Sequence, residues 1–217
     1  MKRIQIVRAS VVVVIAGYLF TIFGIGIAIA CSPWFSFFYN WLSDLGNSKM
    51  GTNYVFDGLK VCVLFNLSLM VGGISGIIFS IGLSISGVFN NRKGKTGVGI
   101  LLTGMIFIFL TGLFSEDFGV VHSLVSSVFF FAVPVSLLVF SFSLRGYNRI
   151  IFTVTGIISL IAFVLLFVDR PWGSNSVIEF IPAVALGIEV LTFSRLLWFS
   201  SENSVVTPQH SQFRESS

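Results

Sequence analysis

The stretch Ser10–Cys31, SVVVVIAGYLFTIFGIGIAIAC, contains no charged residue and few polar ones. A bilayer core about 30 Å thick is crossed by ~20 apolar residues in an α-helix, since each residue adds ~1.5 Å. This stretch is therefore predicted to be a transmembrane helix. A signal sequence is the alternative, because basic residues precede the run and Ala28–Cys31 resembles a cleavage or lipidation site. The length of the apolar run favours the membrane span.

Five further stretches of the same kind follow. The chain has 217 residues, of which 55% are hydrophobic and 10% charged, whereas a soluble domain has about 25% charged residues. This composition excludes soluble enzymes, nucleic-acid binders and disordered chains. We predict an all-α integral membrane protein, a six-transmembrane-helix bundle over residues 1–200, followed by a disordered cytoplasmic tail at 201–217. The predicted spans are approximately 10–31, 61–89, 96–114, 120–144, 150–168 and 177–199.

The lysines and arginines are unevenly distributed between the connections. If the N-terminus is cytoplasmic, ten of the 13 fall on the cytoplasmic side and three on the outer side. Because cationic loops resist translocation, this excess predicts cytoplasmic N- and C-termini in a multi-pass protein of the cell membrane. The net charge of +4 then reflects orientation and not nucleic-acid binding. The cytoplasmic set is Lys2, Arg3, Arg8, Arg92, Lys93, Lys95, Arg145, Arg149, Arg195 and Arg214, and the outer set is Lys49, Lys60 and Arg170.

The first outer loop, residues 32–60, is long and aromatic. We predict an interfacial aromatic loop or short helix there, because aromatic rings anchor membrane proteins at the interface. A ligand-binding aromatic site is the alternative. Four aromatic residues follow the i, i+3, i+4, i+7 spacing of one helical face, namely Trp34, Phe37, Phe38 and Trp41.

Cysteine and glycine patterns bear on packing. Two cysteines, Cys31 and Cys62, are too few for a disulfide framework or a four-cysteine zinc site. Both are predicted near the outer side, where a bridge is geometrically conceivable and two buried thiols are the simpler expectation. Gly72 and Gly76 form a small-xxx-small pair that lets neighbouring helices approach closely.

Glu189 lies near the middle of the sixth predicted span. A carboxylate at that depth costs a few kcal/mol, so we expect Glu189 to face the bundle and to be protonated or paired. Two interpretations remain open. It is either a functional intramembrane acid or a neutral carboxyl group making one interhelical hydrogen bond, worth about 0.6 kcal/mol.

A second polar group is predicted at the outer face, in the first loop and at the start of the fourth span. One interpretation is structural, with Ser115 or Asp117 capping a helix and Ser43 or Asp44 doing the same in a turn. The functional interpretation makes His122 a general base, a proton sensor or a metal ligand beside carboxylates. The group consists of Ser43, Asp44, Ser115, Glu116, Asp117 and His122.

Metal chemistry is limited by the histidine count. The chain has two histidines, and His210 lies in the predicted cytoplasmic tail. A three-histidine zinc site is therefore excluded, and His122 with two carboxylates is the one arrangement left open. We predict no metal site and identify no cofactor.

Three segments carry a family resemblance: Trp41–Gly46 (WLSDLG), Ser115–His122 (SEDFGVVH) and Leu186–Glu189 (LGIE). They resemble the family catalogued as domain of unknown function 998, over about the first 200 residues. The resemblance implies a six-helix membrane protein and does not indicate a reaction. The positions that match the family pattern are Ser43, Asp44, Glu116, Asp117, His122 and Glu189.

The leading hypothesis is a polytopic membrane protein, without demonstrable enzymatic chemistry, that binds a lipid headgroup or a partner at the outer face. The first alternative is a membrane-embedded hydrolase or transferase at the outer leaflet, with His122 as base. It requires Ser43, Asp44, Glu116 and His122 to lie within hydrogen-bonding distance. The second is a proton-coupled carrier that uses Glu189. Partners are the bilayer and a lipid or small molecule, without nucleic acid, and the oligomeric state is left open. The predicted binding residues are Trp41, Ser43, Asp44, Glu116, Asp117 and His122.

Overall fold

The computed structural model describes residues 2–56, 58–168 and 175–206. In this part of the chain six α-helices each contain a stretch long and apolar enough to cross a membrane. The prediction of a mainly helical protein with six helices able to span a membrane is confirmed. The helices are α1 Lys2–Ala30, α2 Val61–Ser86, α3 Arg92–Leu113, α4 Val120–Ser141, α5 Gly146–Leu165 and α6 Asn175–Val206.

Several helix ends differ from the predicted spans for local reasons. α1 already begins at Lys2, since no helix-breaking residue separates the basic start from the apolar stretch. α2 ends early because Gly87 adopts the left-handed conformation, with φ of 75°. α3 begins early because the Asn91 side chain accepts a hydrogen bond of 2.6 Å from the Gly94 N–H.

Part of the predicted tail, and one of the predicted outer cations, lie outside the residues that the structure describes. α6 reaches Val206, so residues 201–206 form its last turns. Residues 207–217 and Arg170 lie outside the described residues.

Five of the helices form a ring. α1 to α4 pack side by side in sequence, and α6 contacts both α4 and α1. α5 packs on the outside of this ring, against α4 and α6. The connections 31–60 and 114–119 meet at one end of the bundle, which we call the outer end after the predicted orientation.

The opposite half of the ring is filled by phenylalanine side chains. Phe140, Phe152 and Phe193 are completely buried, and Phe89 contacts Phe140 and Phe193. Neighbouring ring centroids in this set lie 4.6 to 5.1 Å apart. This aromatic packing closes the interior toward the predicted cytoplasmic end.

Of the two forms predicted for the first loop, an irregular loop or a short helix, the structure shows the irregular loop over residues 31–41. Residues 31–41 form turns, so the prediction that their aromatic residues share one helical face is wrong. One reason is that the Asn40 side chain accepts a hydrogen bond of 2.9 Å from the Ser36 N–H, which holds the chain in a turn. A 3-10 helix, Leu42–Gly46, and the antiparallel strands β1 (Tyr54–Phe56) and β2 (Leu59–Lys60) follow. Cys31 and Cys62 are free thiols.

Candidate functional site

The outer half of the ring encloses an elongated cavity of about 290 Å³. All five ring helices line it, together with Phe37, Leu42 and Ser43 of the first loop. Along α1 the lining runs from Val14 to Ile29, a length of ~22 Å at 1.5 Å per residue. The volume lies near the lower end of the ~300–1,000 Å³ that is typical of ligand pockets.

The wall of the cavity is largely apolar, although several hydroxyl groups belong to it. Thr21, Ser75 and Thr111 line the cavity. Their hydroxyls donate to carbonyl oxygens of their own helices, at 2.8 to 2.9 Å. These groups are satisfied without a ligand, so the polar groups that matter for recognition lie elsewhere.

At the outer end the lining becomes polar, with Ser43, His122 and Glu179. No lysine or arginine is among the described residues that line the cavity. The site therefore combines a long apolar wall with acidic and hydrogen-bonding groups at one end.

The cavity opens laterally between α1 and α6. Ile22 of α1 and Phe180 and Val184 of α6 line it and are 44%, 42% and 45% exposed. A shallower groove of about 360 Å³ between α5 and α6 shares Phe37, Phe180 and Val184 with the cavity. In a bilayer, this side of the ring faces lipid.

Glu179, near the start of α6, joins the first loop to the bundle. Its Oε2 accepts a hydrogen bond from the Leu42 N–H and its Oε1 one from the Ser43 hydroxyl at 3.4 Å. One turn earlier, the Ser176 hydroxyl donates to the Asn40 carbonyl at 2.6 Å. Residues 40–43 are thereby held over the outer end of the cavity.

Three acids lie close together beneath this loop: Asp44, Glu116 and Glu179, which we call the outer carboxylate cluster. Asp44 and Glu179 are 8% and 7% exposed, and the carboxyl group of Asp44 lies close enough to Glu116 to act on it electrostatically. Burial, followed by the charge of Asp44, raises the pKa of Glu116 to about 7. Glu116 therefore titrates near neutral pH.

Asp44 also organises the turn that carries it. Its Oδ2 accepts hydrogen bonds from the Trp41 N–H at 3.0 Å and from the Asn40 amide at 3.1 Å. This is the capping role expected of Ser43 or Asp44 in a turn. The Trp41 backbone thus contacts the cluster.

Asp117 is exposed and binds the loop instead of capping a helix. It accepts hydrogen bonds from the N–H and hydroxyl of Ser48 and from the Ser115 hydroxyl, at 2.8 to 3.2 Å. Slight burial opposes ionisation, but these hydrogen bonds lower the pKa of Asp117. Ser115 precedes a second 3-10 helix, Glu116–Phe118, and Gly119 precedes α4, and neither residue makes a side-chain cap. The expected caps at Ser115 or Asp117 are therefore absent from this segment.

His122 lies in the first turn of α4 and is 7% exposed. Its Nδ1 is 2.7 Å from the Phe114 carbonyl oxygen. A carbonyl only accepts, so Nδ1 carries a proton. Of the four residues required by the enzymatic hypothesis, Asp44 lies beside Glu116, whereas Ser43 donates to Glu179 and His122 is hydrogen-bonded to the backbone.

Glu189 lies ten residues beyond Glu179 on α6, ~15 Å deeper at 1.5 Å per residue. It is fully buried, with its two carboxyl oxygens 3.2 and 3.1 Å from the Ser136 hydroxyl of α4. It lines neither the cavity nor the α5–α6 groove. This is the interhelical hydrogen bond of the structural interpretation.

Glu179 is the site residue that sequence reasoning missed. It is an acid just inside the apolar stretch of α6, which is itself a signal for a buried role. Its partners lie 136 and 137 positions away in the chain, and no local pattern reveals such pairing. Within residues 2–56, 58–168 and 175–206 no group of three or more His, Cys, Asp or Glu is arranged to hold a metal ion.

The sequence was also compared with known proteins. The family described as "Protein of unknown function (DUF998)" matches residues 14–196. The chain belongs to this family. No curated protein and no solved structure matches it. The resemblance seen in the sequence is confirmed, and the biochemical role of this DUF998 protein is argued from its site.

Proposed function

We propose that this DUF998 protein binds a lipid-like amphiphile. Its chain occupies the cavity inside the ring, and its headgroup lies beside Ser43, His122 and Glu179. The observation that supports this is an apolar cavity that ends in polar groups and opens toward lipid between α1 and α6. Such a shape matches a molecule with one apolar and one polar end.

The headgroup contacts decide whether a lipid stays in the site. Moving a chain from the bilayer into an apolar cavity gains little hydrophobic free energy, because lipid tails are already in an apolar environment. Hydrogen bonds and charge at the outer end are therefore the source of selectivity, and the cavity wall sets the length and number of chains.

Gly26 provides a direct test, because it lines the cavity and no atom lies within 4 Å of the position a Cβ would take. The substitution Gly26→Phe places a ring in the space assigned to the ligand. We expect native mass spectrometry of the protein in mild detergent to show bound lipid on the wild type and at least ~tenfold less on Gly26→Phe, ~1.4 kcal/mol.

Gly99→Phe is the matched control. Gly99 also has nothing within 4 Å of its Cβ position, but it lies on α3 and does not line the cavity. It should retain wild-type lipid. Equal lipid content in the wild type and Gly26→Phe would contradict the proposal.

A hydrolase or transferase acting at the outer leaflet is the second candidate. It is favoured by the placement of Ser43, His122 and Glu179 on the wall of one cavity. The same mass spectra distinguish it, because an enzyme would convert an added lipid to a product of different mass, whereas a binding protein returns it unchanged. The carrier hypothesis has less support, since Glu189 is buried against Ser136 away from the cavity.

A further inference from the structure

We infer that the amphiphile is a single-chain lipid whose headgroup is a primary amine. This inference rests on the proposed function and specifies the ligand of the same cavity. It is carried by three observations: the charges at the outer end, the hydrogen-bond acceptors on the wall, and the dimensions of the cavity.

The first observation is charge. Glu179 lines the cavity, and Asp44 and Glu116 lie close enough to act on it electrostatically. The described cations of the first loop, Lys49 and Lys60, are exposed and do not line the cavity. An anionic headgroup such as a phosphate would meet buried carboxyl groups without a compensating cation, whereas an ammonium group supplies the missing charge.

The second observation is the supply of acceptors. The carboxyl oxygens of Glu179 and the hydroxyl oxygen of Ser43 are acceptors on residues that line the cavity. The Ser43 hydroxyl donates its hydrogen bond to Glu179 at 3.4 Å, and Nδ1 of His122 donates to the Phe114 carbonyl at 2.7 Å. An ammonium group has three donors and no acceptor, so it complements this set better than a phosphate, which only accepts.

The third observation is size. A cavity of about 290 Å³ whose lining runs from Val14 to Ile29 of α1 is long and narrow. The aromatic packing of Phe140, Phe152 and Phe193 closes the ring beyond it. This volume accommodates at most one chain, the rest of a long chain would extend through the opening between α1 and α6, and a two-chain lipid would have to leave its second chain outside the ring.

The test compares three lipids that carry the same oleyl or oleoyl chain: oleylamine, monoolein and oleoyl lysophosphatidic acid. Each is added in equal amount to the delipidated full-length protein in micelles, and bound lipid is counted by native mass spectrometry. Adsorption to the micelle is removed by subtracting the signal of Gly26→Phe, in which the cavity is filled. We expect oleylamine to be bound about tenfold more than the phosphate lipid, ~1.4 kcal/mol, with monoolein between them.

Variants assign the preference to the cluster. Glu179→Gln removes the ionisable group that lines the cavity and with which an ammonium group would pair, and it should bring the amine-to-phosphate ratio close to one. Glu189→Gln is the matched control, because it makes the same change on the same helix away from the cavity, and it should retain the wild-type ratio. Asp44→Asn serves as a second variant if Glu179→Gln does not fold.

The outcomes separate this inference from the function on which it rests. Equal binding of the three lipids, or preference for the phosphate, would overturn the amine assignment and leave lipid binding intact. If none of the three lipids binds above the Gly26→Phe background, and no endogenous lipid does either, both fail. An amine preference that survives Glu179→Gln and Asp44→Asn would also overturn the assignment to the outer carboxylate cluster.

Discussion

Glu116 is the residue at which the outer carboxylate cluster responds to pH. Its pKa of about 7 lies above the ordinary 4.5, chiefly because the group is partly buried and Asp44 lies beside it. The fold therefore favours the protonated form. The contribution of protonated Glu116 to the stability of the folded state is complete below about pH 4.5 and is lost as the pH rises through about 7.

The substitution Glu116→Gln keeps the shape of the side chain and removes its titration. When the pH is raised from about 5 to about 8, we expect the melting temperature of the wild type to fall by about 2–4 °C more than that of Glu116→Gln, which corresponds to ~1 kcal/mol. Thermal unfolding in detergent followed by circular dichroism measures this difference. Asp117→Asn is the control, because the pKa of Asp117 is lowered and the group stays ionised throughout this range. Parallel profiles for the wild type and Glu116→Gln would show that the cluster does not hold this proton.

The sequence predicted which residues lie near the site better than it predicted which of them contact each other. Asp44, Glu116 and His122 were expected at the outer face, and all three lie at or beside the cavity end. The hydrogen bond between Ser43 and Glu179 was not foreseen, because it joins residues 136 positions apart. Hydrogen bonds of this kind depend on the three-dimensional arrangement of the helices, and this arrangement cannot be predicted from hydrophobic periodicity and charge.

At the scale of helices, close packing depends on glycines that have no room for a side chain. A Cβ on Gly73 of α2 would lie 2.6 Å from the backbone nitrogen and 2.7 Å from the Cα of Phe109 in α3. Backbone atoms cannot rotate aside, so the two helices would have to separate.

Gly73→Ala should therefore destabilise the bundle by ~1–3 kcal/mol, the cost of overpacking a dense core. For a chain of this length this corresponds to a loss of roughly 2–10 °C in melting temperature. Gly99→Ala is the matched control, because nothing lies within 4 Å of its Cβ position and alanine favours the helix by ~0.5–1 kcal/mol. A melting temperature of Gly73→Ala equal to or above that of Gly99→Ala would show that α2 and α3 do not approach this closely.

The positions of the six helices could be predicted from the sequence, whereas the pairs of helices that pack against each other could not. All six spans were located from apolar length, because the thickness of a bilayer imposes it. The pair Gly72 and Gly76 was expected to let helices approach, but Gly72 faces Thr21 of α1 and Gly76 faces Met105 of α3. A small-xxx-small pattern marks a close approach without naming the partner helix.

At the scale of the whole molecule, the arrangement of the helices creates the candidate site. The ring places the starts of α4 and α6 and the first loop around one cavity, and α5 stays outside it. Hydrophobic length alone predicts six helices but not which five enclose a space. The orientation, with both termini cytoplasmic, stays a prediction from the positions of lysine and arginine.

An amphiphile in this cavity, with its polar end at Glu179, would be visible in an experimental structure of the protein in lipid nanodiscs at side-chain resolution. We expect a continuous elongated density between α1 and α6, with one end within hydrogen-bonding distance of Glu179, Ser43 or His122. A cavity that is collapsed, or filled only by water, would contradict it.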